Sequence, residues 1–379
     1  MRFKTVLLAV LAASLVVSGP IPSLATASRD GSSCAKAGTK NIYGGVNYVC
    51  TRLGMRTVWK KLAAVRTPSP KPIASGEPNP SSSPSSNRNA QDALWLRVAT
   101  NILDEQLTLK PAKVLQISFI DSPTSVNKNA QQFRDSYRRA MTYWSNFVNS
   151  ETPAKWVVVT EKDRSWWSKT MQSLSRPDWD SSWWGSQHCD QMSTTICGAG
   201  DIGKDGEPLF TGFVGTQAKW TSQNTVNALH EATHVYQMLT LKNYLSSMPC
   251  WYSEGEASFF GIVLGQKDQP IEISRGREMS QLARDLPEST LWDAAGWANA
   301  LKEYEVSDSK CHSTDYPYSA GYLVIEKLLD QFGHAKLTAW EKLSASSQDW
   351  KASFASVFGL KVDDWYRESA GPYIDSQAY

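Results

Sequence analysis

From Thr67 to Arg88 the chain reads TPSPKPIASGEPNPSSSPSSNR, with six prolines and seven serines in 22 residues. Such a stretch has no periodic apolar face to bury and stays semi-extended and solvated. The chain therefore cannot fold around one core that runs its whole length. It divides into a short segment, residues 28–66, a linker over 67–90, and a main domain over 91–379. Within the main domain, Val114 to Ile120 and Trp156 to Val159 have strand composition, and Ala130 to Val148 has helical periodicity. Residues 163–202, rich in Trp, Ser and Gly, predict irregular structure, and Phe210 to Val214 predicts a further strand at a sheet edge. From Asn224 onward the pattern is almost wholly helical. Strands first and helices later predict an α+β fold, with a mixed lobe followed by a helical lobe.

Ahead of these parts, Arg2 and Lys4 precede an apolar run from Thr5 to Ser18, and Ala25-Thr26-Ala27 forms a small-residue cleavage pattern. Residues 1–27 thus predict a secretory signal cut near Ala27. The six cysteines then read as disulfide partners in an oxidising compartment, with no CxxC to suggest a zinc ribbon. Cys34 and Cys50 lie within 28–66, where a local pair would staple a segment too short to build a core. Cys189, Cys197, Cys250 and Cys311 allow three connectivities. Lys and Arg total 39 against 37 Asp and Glu, which argues against a nucleic-acid binder. No apolar run after the signal is long enough to span a bilayer.

Chemistry concentrates in one stretch, Leu229-His230-Glu231-Ala232-Thr233-His234. On a helix, His230 and His234 project from one face a turn apart, a spacing that suits two ligands of a tetrahedral zinc. Glu231 flanks that face, within reach of a proton on a metal-activated water. Twenty residues past His234 stands Glu254, within Trp251-Tyr252-Ser253-Glu254-Gly255-Glu256-Ala257.

This combination of HExxH and W-x-x-E-G-x-A resembles the gluzincin branch of zinc metallopeptidases, the thermolysin and aminopeptidase-like families. The resemblance covers residues 220–265. It implies a zincin-like fold, Zn²⁺ held by His230, His234 and Glu254, Glu231 as general base, and a peptide or protein substrate. Glu256 competes with Glu254. Ser253 and Glu256 have the spacing of a capping box, which would leave Glu254 free for the metal. In thermolysin-like members an Asp four residues past the ligand Glu supports a zinc-binding His, whereas Ser258 stands there in this chain.

In related aminopeptidases a Tyr on a later segment stabilises the oxyanion. Tyr318 is the expected counterpart here, with Tyr316 and His312 as alternatives, although Tyr318, Tyr322, Ile325, Leu329 and Phe332 also form a core-like stripe. A Cys250–Cys311 disulfide would hold the Glu254 and Tyr318 segments together, with Cys189–Cys197 closing a local loop. Sixteen tryptophans, with pairs at Trp166-Trp167 and Trp183-Trp184, support core packing or a stacking surface. The competing expectation is a non-catalytic cell-envelope or glycan-binding protein on a zincin scaffold, with envelope contact through residues 28–66.

Overall fold

A computed structural model describes residues 40–43, 46–53, 56–61, 85–111, 113–148, 153–177, 196–203, 206–285, 293–305 and 316–378. These fall into two compact units. In the smaller, strands β1 (Lys40–Tyr43), β2 (Val46–Leu53) and β3 (Arg56–Lys61) form an antiparallel sheet in that order. Cys50 on β2 is buried. The larger unit begins with helix α1 (Ser85–Thr108), so helix already occupies the tail of the segment expected as linker. Pro84 is the last proline of that segment, and nothing beyond it bars helical hydrogen bonding.

The larger unit is α+β. Strands β4 (Ile117–Asp121), β5 (Ala154–Val159), β6 (Ile196–Ile202) and β7 (Pro208–Val214) form a mixed sheet in the order β4-β5-β7-β6. The first three in that order run parallel, and β6 closes the end antiparallel. Helix α2 (Lys128–Trp144), between β4 and β5, starts at Asn127, whose side chain caps the Ala130 amide. Successive side chains on a strand point to opposite faces, and both faces here are apolar. Trp156 and Phe210 stack at 4.8 Å and meet Phe133 and Tyr137 of α2. Val157, Val159, Leu209 and Phe213 instead pack with Trp167 and Met171 of helix α3 (Arg164–Ser173).

Two sequence expectations are corrected at this point. Residues 163–202 contain α3 and β6 rather than only irregular chain. The strand expected at an edge, Phe210–Val214, is interior, since β7 pairs with β5 on one side and β6 on the other. The edge beside it is β6.

The rest is helical: α4 (Ser222–Leu241), α5 (Cys250–Leu264), α6 (Ile271–Asp285), α7 (Ala294–Glu303), α8 (Tyr316–Phe332) and α9 (His334–Ser347). Shorter helices complete the unit to Ala378. Every residue of α5 is buried, so the helix needs close contact on more than one side. Two glycines permit it. A Cβ at Gly261 would meet the backbone of α4 at Val226 O, 2.9 Å, and His230 N, 3.0 Å. A Cβ at Gly255 would meet the Gly321 carbonyl carbon of α8 at 2.3 Å.

Seven tryptophans, Trp167 among them, are fully buried and serve the core. No described helix is long and apolar enough to cross a membrane. The expected signal over 1–27 and most of the linker lie outside the described residues. So do Cys34, Cys189, Cys311, Trp183-Trp184 and His312, and with them a member of every expected disulfide. Among the described residues no cysteine is a free thiol.

Candidate metal centre

Helix α4 carries the HExxH stretch, and local sequence fixes where it begins. Thr221 caps the Asn224 amide while the Asn224 side chain returns to the Thr221 amide, a reciprocal capping box. The helix then runs without Gly or Pro through a wholly buried span, Ala228 to Met238. It lies between α2, whose Tyr137 hydroxyl donates to the Glu231 carbonyl at 3.2 Å, and α5.

On this frame three donor atoms converge. His230 Nε2 and His234 Nε2 are 3.1 Å apart, and Glu254 Oε2 lies 3.4 Å from the first and 3.6 Å from the second. All three residues are buried, at 8%, 2% and 1% exposure, and they are the one metal-competent cluster among the described residues. Donor atoms about 2.0–2.1 Å from a shared tetrahedral centre stand about 3.3 Å from one another. The observed triangle matches that spacing. Glu254 Oε2 is buried, faces both imidazoles and has no other polar partner among the described residues. Two imidazole nitrogens and a carboxylate form a donor set suited to zinc.

The electrostatics favour a cation. Burial works against charge on His234, but the Glu254 carboxylate, with Glu231 behind it, raises the imidazole from 6.5 to about 9. Burial also opposes ionisation of Glu254, yet the neighbouring imidazoles hold it well below the usual carboxylate range.

Glu231 is 3% exposed and lies against the edge strand: a Cβ at Gly198 of β6 would sit 3.7 Å from its carboxyl carbon. Tyr318, in the first turn of α8, stacks on His230 with ring centroids 5.9 Å apart and planes 23° apart. Tyr322, one turn further along α8, is fully buried and packs on Phe259 instead. Tyr318 thus borders the centre while the rest of its stripe belongs to the core.

The choice between the two glutamates falls to Glu254, for a reason other than the expected one. Helix α5 starts at Cys250 behind Pro249, with no side-chain cap, so Ser253 lies inside the helix and its Oγ bonds back to Cys250 O at 3.3 Å. The capping box of Ser253 and Glu256 does not form. Glu256 points away from the donor triangle and accepts from Gln237 Nε2 at 2.8 Å. Burial, and the Glu341 carboxylate beside it, push Glu256 well above the usual carboxylate range. Glu341 accepts from the hydroxyls of Tyr252, at 2.9 Å, and Tyr236.

Ser258 stands beside His230, with Oγ 3.4 Å from Nδ1, and is the only hydrogen-bonding group at that nitrogen among the described residues. Sequence reasoning missed Gln237, whose Oε1 lies 2.8 Å from His234 Nδ1. The signal was present, because positions three apart on a helix are neighbours. No protein family, curated protein or solved structure matches this chain, so the functional argument rests on the residues themselves.

Proposed function

We propose that this chain is a secreted, zinc-dependent peptidase of gluzincin type, with His230, His234 and Glu254 holding Zn²⁺. The observation that carries this reading is the donor triangle at 3.1, 3.4 and 3.6 Å with the Glu231 carboxylate next to it. When bound there, zinc supplies Lewis acidity, polarising a carbonyl and lowering the pKa of water to about 7. Glu231 takes the proton that the attacking water gives up, holds it on a carboxylate oxygen, and passes it to the departing amine nitrogen. The water oxygen becomes part of the new carboxylate as the C–N bond breaks. Tyr318, whose ring lies against His230, directs its hydroxyl to the carbonyl oxygen as charge builds there. An extended peptide adds alongside β6, the edge strand that passes Glu231, through main-chain hydrogen bonds. The burial around Glu231 excludes bulk water from the proton it carries.

The test is Glu231→Gln in the full chain, with zinc content and turnover of a mixed peptide library measured together. Zinc stays stoichiometric and cleavage falls by at least about 10²–10⁴-fold, the usual weight of a general base. A variant as active as wild type would sink the mechanism. Wild-type protein that holds zinc yet cleaves nothing would favour the non-catalytic, envelope- or glycan-binding alternative.

A further inference from the structure

We infer that Gln237 is the positioning residue of this centre: it fixes the tautomer of His234 and ties that imidazole to the helical turn carrying Glu254. The inference rests on the metal-centre reading above and extends it to a residue outside the donor set.

Gln237 is fully buried, and each end of its amide has a defined neighbour. Nε2 lies 2.9 Å from the Ser253 carbonyl oxygen and 2.8 Å from Glu256 Oε2. A carbonyl oxygen only accepts, so the atom facing Ser253 must be the amide nitrogen. That places Oε1, which also only accepts, 2.8 Å from His234 Nδ1. The proton between them therefore belongs to Nδ1, and the lone pair of the neutral imidazole is on Nε2, the atom in the donor triangle. Ser253 and Glu256 flank Glu254 on α5. One side chain thus sets the orientation of one ligand and the distance to the helix bearing another.

Histidines that bind metals are ordinarily held this way by a carboxylate, a carbonyl or water. An amide performs the task without adding a third negative charge to a pocket already holding Glu231 and Glu254. His230 is held differently. The Ser258 hydroxyl, 3.4 Å from its Nδ1, can donate or accept and selects neither tautomer. The asymmetry assigns orientation of the pair to His234.

The experiment measures zinc affinity of the full chain by competition with a chromophoric chelator, for wild type, Gln237→Leu and Gln237→Glu. The leucine variant keeps the volume and loses the acceptor, and its zinc Kd rises about 10–100-fold. The glutamate variant keeps an oxygen toward His234 and stays within about fivefold of wild type. A second readout follows the His234 Nδ1 proton in ¹⁵N-edited spectra of the zinc-loaded protein. It is slow to exchange in wild type and in Gln237→Glu. Leucine binding zinc as tightly as wild type would overturn the inference while leaving the metal centre standing. So would glutamate losing as much affinity as leucine, since an acceptor toward His234 would then not be what sets the affinity. Should the leucine variant fail to fold, the glutamate variant and the proton signature decide. Wild-type protein without stoichiometric zinc would overturn the metal centre itself, and the inference with it.

Discussion

Replacing Gly255 with alanine adds one methyl group between α5 and α8, and the outcome can be worked from distances. The new Cβ would lie 2.3 Å from the Gly321 carbonyl carbon, 2.4 Å from its oxygen and 2.6 Å from its Cα. Carbon atoms in contact settle at about 3.5–4.0 Å, so the helices would have to part by more than an ångström. All three obstructing atoms are backbone, and no rotamer change can relieve them. Overpacking of this kind costs about 1–3 kcal/mol, and two rigid helices place it at the upper end. At about 2–4 °C per kcal/mol for a unit of this size, the melting temperature falls by about 6–12 °C. Gly276 on α6 supplies the control, because a Cβ there meets nothing within 4 Å. Alanine at that exposed helical position raises stability by about 0.5–1 kcal/mol. Thermal unfolding of the full chain followed by circular dichroism measures both. Gly255→Ala melting within 2 °C of wild type, or Gly276→Ala falling as far, would refute the close crossing of the helices that carry Glu254 and Tyr318.

Two further outcomes are expected. Glu254→Gln loses stoichiometric zinc after dialysis at fixed free zinc, whereas Glu256→Gln retains it, because Glu256 faces Gln237 and Glu341; elemental analysis showing the reverse would reassign the third ligand. Acid stability carries the mark of Glu105 on α1, which bonds His334 Nδ1 at 2.7 Å and the Tyr143 hydroxyl at 2.9 Å. Burial opposes its ionisation, yet these partners hold it below the usual 4.5. A carboxylate depressed in the folded state contributes its stability in full above the unfolded value and loses it as pH falls through the folded one. The advantage of wild type over Glu105→Gln in urea midpoint is thus complete at pH 5.5 and fades below about pH 4.5. An advantage unchanged at pH 3 would contradict the assignment.

What could be read from the sequence divides by the range of the interaction. His230, Glu231 and His234 are legible because helical geometry alone brings positions four apart to one face. Glu254 is legible by its distance from them, but the helix physics invoked for it failed. Proline was the better guide to where α5 starts, since Pro249 sits just ahead of the first helical residue and fixes its own φ. The sheet edge was misread for a different reason. Sequence order places β7 after β6, yet β7 lies between β5 and β6, and no local pattern encodes that insertion. The strand β6 itself, Ile-Cys-Gly-Ala-Gly-Asp-Ile, lacks the apolar alternation that marks strands. The second of its two glycines is required by packing, since a Cβ at Gly200 would fall 2.1 Å from the Phe210 ring.

The same division explains why the candidate ligands could be read and their support could not. A ligand must be a particular residue type at a particular spacing, and few sequences satisfy that by accident. Supporting groups need only present an acceptor, a donor or no side chain at the right place. Gln237 and Gly321 meet those needs with residues that carry no signature of their own. Gly321 becomes meaningful only once α8 lies on α5. Gln237 becomes meaningful only once Ser253 fixes which end of its amide turns to His234. Ser258 Oγ is the one described hydrogen-bonding group at His230 Nδ1, and it too is identified by three-dimensional contact rather than by a signature of its own.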